Sequence, residues 1–148
     1  MGRRAKGSGP GRSVGNLLRD CYRSFSRALE ARIKPRGVGV GQWYFLRELW
    51  EEDGLAQGDL SWRAGLTAPT TVVAIRRMVE DGLVVRKQDE DDRRKVRIHL
   101  TEKGRRLRDE LLPLAFEVNN IATEGFSKKE IRQFRLFVDR MKNNLFQD

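Results

Sequence analysis

Apolar residues recur every three or four positions from Val14 to about Ile33. Val14, Leu17, Leu18, Cys21, Phe25, Ala28 and Leu29 fall on one stripe of a helix, with Arg19, Arg23, Arg27 and Arg32 off it. Pro35, Gly37, Gly39 and Gly41 then break the chain. A second helix follows from about Gln42 to Glu51. Trp43, Phe45, Leu46, Leu49 and Trp50 are its bulky content, and Asp53-Gly54 stops it. A short third helix, about Gln57 to Ala64, is anchored by Leu60 and Ala64. Gly65-Leu66 makes a turn, Thr67 is a natural N-cap, and Pro69 suits the first turn of a fourth helix over about Ala68–Asp81. There Thr71, Ala74, Ile75 and Met78 stand at i, i+3, i+4 and i+7 and define the buried face. Pro69, Thr70, Val72, Val73, Arg76 and Arg77 are left pointing outward, and Gly82 ends the helix.

The period then changes from helical to two. Leu83–Lys87 and Lys95–Leu100 are rich in β-branched residues, and Val96, Ile98 and Leu100 alternate with Arg97 and His99. Gln88–Arg94 reads as a polar hairpin tip. Thr101 caps a long fifth helix, about Glu102–Thr123, with Leu107, Leu111, Leu114, Ala115 and Val118 as its stripe and a kink expected at Pro113. Ser127-x-x-Glu130 is a capping box that opens a sixth helix, in which Ile131, Phe134, Val138, Met141 and Leu145 repeat like a and d positions. The fold class expected is mainly α (α+β): four helices, a β-hairpin and two further helices, with room for a very short strand before the third helix. Residues 1–13 read as a flexible basic tail, and 14–148 as one domain. Within that domain, 42–101 is a winged helix-turn-helix, and 14–40 and 102–148 are flanking helical regions.

Composition narrows the class. With 148 residues, 39% hydrophobic and 34% charged, the chain can build one core. No apolar run approaches the ~20 residues that span a bilayer, and no apolar leader opens the chain, so the cytoplasm is the simplest location. One cysteine permits no intrachain disulfide. A net charge of +9 favours polyanionic partners, nucleic acid before membrane.

The order of elements then decides between those partners. A short helix, a tight turn and a helix with an exposed face form a pair whose second helix enters the major groove. That groove admits a helix and shows a distinct edge for each base pair. A hairpin tipped by Arg93, Arg94 and Lys95 makes a wing, and arginine suits the electronegative minor groove. Surface salt bridging to Glu80 or Asp81 competes for Arg76 and Arg77. Arg63, on the third helix, joins the DNA-facing set. The other reading of this arrangement is a winged-helix protein-interaction module without specific DNA binding.

Leu55–Gly104 resembles the MarR family of bacterial regulators. The resemblance is carried by LAQGDLSWRAGLTAPTTVVAIRRMVEDGLVVRKQ and DEDDRRKVRIHLTEKG, most specifically by EDGLVVR, DDRR and LTEKG in that order and spacing. It implies a homodimer, held through the first, fifth and sixth helices, on a roughly palindromic promoter site with recognition helices ~34 Å apart. The groove set carried over is Thr70, Val72, Val73, Arg76 and Arg77; the wing set is Arg93, Arg94 and Lys95, with Asp92 orienting a wing arginine. Val72 and Val73 stand where the family often has Ser, Thr or Arg. They offer thymine methyl contacts in place of hydrogen bonds. Ala56 stands where relatives often have a capping Ser or Thr.

The resemblance also implies a ligand-responsive repressor with an effector pocket walled by the first, second and fifth helices. Tyr22, Phe25, Trp43 and Phe116 are candidates to line it, and Arg19, Arg23 or Arg27 to meet an acidic group, which suits an aromatic acid or a coenzyme A thioester. The aromatic surplus that includes Trp50 and Trp62 is otherwise read as mostly core. Some relatives sense oxidants through a first-helix cysteine; Cys21, in step with Leu17 and Phe25, reads here as a small buried hydrophobe. His99 is expected in solvent. The acidic run Asp89–Asp92 lacks EF-hand spacing. No metal-ligand spacing, nucleophile triad or phosphate loop is present, so neither an enzyme nor a cofactor is expected.

Overall fold

The computed structural model describes residues 11–146. The elements are α1 (Val14–Ile33), a single 3-10 turn (Lys34–Arg36), α2 (Val40–Glu51), β1 (Leu55–Ala56), α3 (Gln57–Ala64), α4 (Ala68–Glu80), β2 (Val84–Gln88), β3 (Val96–Leu100), α5 (Glu102–Ala122) and α6 (Lys128–Phe146). The strands form one antiparallel sheet in the order β1-β3-β2, with Leu55 opposite Ile98 and Arg86 opposite Ile98 on the other side. This is the winged helix-turn-helix expected, including the two-residue strand before α3.

Helices α1, α4, α5 and α6 start where a side chain occupies a free N–H group, whereas α3 opens at Ala56 with no side-chain cap. Ser13, Thr67 and Thr101 accept from Asn16, Thr70 and Gly104. At α6 the capping box is complete: Ser127 N–H donates to Glu130 at 2.7 Å, and Glu130 N–H to Ser127 Oγ at 3.1 Å. α2 begins at Val40, two residues earlier than the hydrophobic period marks, because Gly39 is capped by the Gln42 side chain at 3.2 Å. β2 begins one residue late. Leu83 is still in the closing turn of α4, its N–H donating to Met78 at 2.9 Å. α5 continues without a break through Pro113.

The core gathers Ile33 from α1, Phe45, Leu46 and Leu49 from α2, Leu60 from α3, Ile75 and Met78 from α4, Ile98 from β3 and Leu111 from α5. Trp43 and Trp50 join it edge to face, with ring centroids 5.6 Å apart. Gly104 lets α5 dock on the wing. A Cβ there would stand 2.2 Å from the Leu83 carbonyl oxygen, and its own carbonyl accepts from Trp50 Nε1 at 2.9 Å.

Two apolar stripes find no cover among the described residues. Val14, Leu17, Leu18 and Cys21 of α1 are exposed; only Phe25, Ala28 and Leu29 of that stripe reach the core. No described residue of α6 is buried, and Phe134, Leu136 and Phe137 stand open with Phe116 and Ile121 of α5. The expectation that Cys21 is buried is therefore corrected for a single chain. Val96 alternates in step with Ile98 and Leu100, which the period places on one buried face, but it is exposed where those two are buried.

Candidate nucleic-acid interface

The third and fourth helices are locked by small polar groups. The buried Ser61 hydroxyl donates to the Leu66 carbonyl at 2.8 Å, and the Thr71 hydroxyl lies 2.9 Å from both Ser61 Oγ and the Thr67 carbonyl. Gly65, at φ +67°, makes the turn that other residues resist. Thr71, Ile75 and Met78 face inward as the period requires. Pro69, Thr70, Val72, Val73, Arg76 and Arg77 are all exposed. Thr70 partly serves the cap, its Oγ1 accepting from the Thr67 hydroxyl at 2.9 Å. Most of the aromatic surplus lies in or against the core, as Trp43 and Trp50 do; Trp62 is the exception, 81% exposed on α3.

The wing is more constructed than a solvated tip. Asp92 orients Arg94: its Oδ1 accepts from the Arg94 N–H and Nε, each at 3.1 Å, and Oδ2 from Nη2 at 3.3 Å. Those bonds hold the Asp92 carboxyl below its usual range, yet the Arg94 side chain remains 91% exposed. Arg93 and Lys95 are exposed, without a carboxylate partner among the described residues. Arg94 and Lys95 share a cleft with Ala56, Gln57 and Asp59 at the start of α3, so wing and helix pair lie side by side.

Beneath the tip sits a residue pair that the sequence reading passed over. Asp89 is only 7% exposed. Its Oδ1 accepts from the N–H groups of Asp91 and Asp92 at 2.8 Å each, and its Oδ2 accepts from Arg97 Nε. The same guanidinium donates through Nη1 to the Gly54 carbonyl at 2.9 Å. Arg97 thus ties the wing to the body. The backbone N–H of Asp92, with Arg97 and the N–H of Asp91, lowers the Asp89 carboxyl from 3.8 to about 2. The signal was legible: an Asp that bonds N–H groups two and three residues on is the start of an Asx turn.

Other expected site residues are placed differently. Arg63 is held in an ion pair with Glu52. In the basic tail, Arg12 pairs with Asp20, and residues 1–10 lie outside the described residues. The residues of the effector set differ in exposure. Trp43 is 3% exposed in the core, Phe25 packs against it, and Tyr22, Phe116, Arg19 and Arg23 are exposed. The Tyr44 hydroxyl donates to Tyr22 at 3.0 Å, and burial pushes the Tyr44 pKa up to about 12. His99 is half-buried beside Asp53 and Gly54 rather than free in solvent.

Comparisons with known proteins add a name to this geometry. Residues 40–96 match the model of the MarR family. The chain is 33% identical over 111 residues to the uncharacterized HTH-type transcriptional regulator YsmB of Bacillus subtilis, covering 75% of this chain and 72% of that one. It is 34% identical to a MarR transcriptional regulator of Methanosarcina mazei Go1, superposing with a TM-score of 0.83 over 90% of this chain and 96% of that one. The chain belongs to the MarR family. A further relative, the HTH-type transcriptional regulator TtmR of Methylorubrum extorquens, is 33% identical over 88 residues; these are 60% of this chain and only 45% of TtmR's length. MarR proteins are transcriptional regulators, and that class rather than an enzyme's is where this chain stands. Among the described residues, no helix is long and apolar enough to cross a membrane.

Proposed function

We propose that this MarR regulator is a homodimer that binds a roughly palindromic promoter site in double-stranded DNA and represses by occlusion. What supports the proposal is the exposed outward row of α4 together with the wing cations Arg94 and Lys95, which share a cleft with the start of α3. The outward α4 residues Thr70, Val72, Val73, Arg76 and Arg77 meet base edges and phosphates, and Arg93, Arg94 and Lys95 reach the adjoining minor groove. A regulator of the same fold, MepR of S. aureus, was solved as a DNA complex; it superposes at TM-score 0.84 and 21% identity over 90% of this chain and 98% of that one.

The dimer reading is supported by the apolar side chains of α1, α5 and α6 that stand uncovered among the described residues and that a second copy would bury. An effector, an aromatic acid or a coenzyme A thioester, is supported by Tyr22 and the exposed Arg19 and Arg23 on the outer part of α1. Selection from a random duplex pool, followed by anisotropy titration, tests the DNA reading. The enriched duplexes are expected to hold two half-sites about one turn apart. Enrichment of no sequence would favour the interaction-module reading. Sedimentation velocity checks the dimer, and a thermal-shift panel of aromatic acids and their thioesters checks the effector.

A further inference from the structure

The positive charge is not where the recognition helix is. Residues 42–101 carry ten Lys and Arg against eleven Asp and Glu, whereas the whole chain is +9. Neutralising phosphates therefore depends on individual cations left without carboxylate partners, and on residues outside the winged part. One such residue adjoins α4. A groove of about 820 Å³ runs between α4 and the corner joining α1 to α2; its walls include Thr70, Val73 and Arg77 on one side and Lys34, Gly39 and Gly41 on the other. Among the described residues neither Lys34 nor Arg77 has a carboxylate partner. The two acids of the groove are turned to the scaffold: Glu30 accepts from Val40 N–H at 3.0 Å and Asp81 from Gln42 Nε2 at 2.8 Å.

The glycines are a second observation. Gly41 sits in the first turn of α2 without a positive φ, and among the described residues a Cβ there would meet nothing within 4 Å; at Gly39 it would meet Glu30 Oε1 alone, at 4.0 Å. Neither backbone conformation nor internal packing asks for glycine, and glycine weakens a helix. What they provide is a bare wall for something approaching from outside. We infer that this corner is a phosphate clamp for the DNA strand flanking the recognition helix, with Lys34 as a DNA-backbone contact and the Gly39–Gly41 wall as its close-approach surface. The inference rests on the DNA-binding reading of α4. Phosphate contacts there fix register without reading sequence.

The test uses the full chain, a selected duplex and an unrelated duplex of the same length, titrated by anisotropy across a KCl series. Lys34→Ala is expected to flatten the slope of log K against log salt by about 0.9 per protomer, equally for both duplexes. Gly41→Glu places an acid in the first turn of α2, which favours the helix, so its melting temperature is expected to equal or exceed wild type. The same substitution is expected to weaken DNA binding about fivefold per protomer. Wild-type slope in Lys34→Ala, or wild-type affinity in Gly41→Glu, would overturn the clamp while leaving the α4 reading standing. Absence of duplex binding by the wild-type chain would remove both. Loss confined to the selected duplex would also overturn it, since that is base readout.

Discussion

Gly104→Ala sets two rules against each other. Helix propensity alone says that alanine improves an α5 position by about 1 kcal/mol. The structure says otherwise. The new Cβ would stand 2.2 Å from the Leu83 carbonyl oxygen, 3.1 Å from Leu100 Cδ2 and 3.2 Å from the Leu83 carbonyl carbon. The nearest atom is backbone, and it is engaged: Leu83 O accepts from Thr101 N–H at 3.0 Å. Relief means lifting the start of α5 from the wing, which also strains the 2.9 Å bond from Trp50 Nε1 to the Gly104 carbonyl. Overpacking of this kind costs about 1–3 kcal/mol, and each disturbed hydrogen bond about 1 kcal/mol more. Less the propensity gain, the net loss is about 2–4 kcal/mol. At ~2–4 °C per kcal/mol for a chain of this length, the melting temperature should fall by roughly 4–16 °C. Circular dichroism melts at fixed protein concentration measure it. A Gly104→Ala protein that melts at or above wild type would refute the close-packing account of the α5–wing junction.

Other expectations follow from the same geometry. Asp89 has a folded pKa of about 2 against an ordinary 3.8, so its contribution to stability is present above pH ~4 and lost as pH falls through about 2. Asp89→Asn should therefore melt lower than wild type at pH 7 and lose less between pH 4 and 2, as read in a melt series across pH. Arg93→Ala with Arg94→Ala should weaken binding to the selected duplex at least tenfold, about 1.4 kcal/mol, with no change in melting temperature. Arg63→Ala should cost less than twofold, because its guanidinium is already committed to Glu52. Phe134→Glu with Phe137→Glu should shift sedimentation from dimer to monomer; an unchanged dimer would place the interface elsewhere.

Local chemistry was readable in one dimension. The helix periods, the Thr67, Thr101 and Ser127 caps, the Gly65 turn and the outward set on α4 depend on residues within about five positions of each other, and all are found where the spacing puts them. Asp92 holding Arg94 is likewise a contact over two residues. What the linear pattern does not contain is which face meets what. The stripes of α1 and α6 look like core in the sequence because amphipathicity specifies only that a face seeks cover, not that the same chain supplies it. The ties of Arg97 to Gly54, of Gly104 to Leu83 and of Arg63 to Glu52 join residues brought together by packing alone, at separations that no period encodes. Lys34 came next to α4 the same way, through the corner that joins α1 to α2.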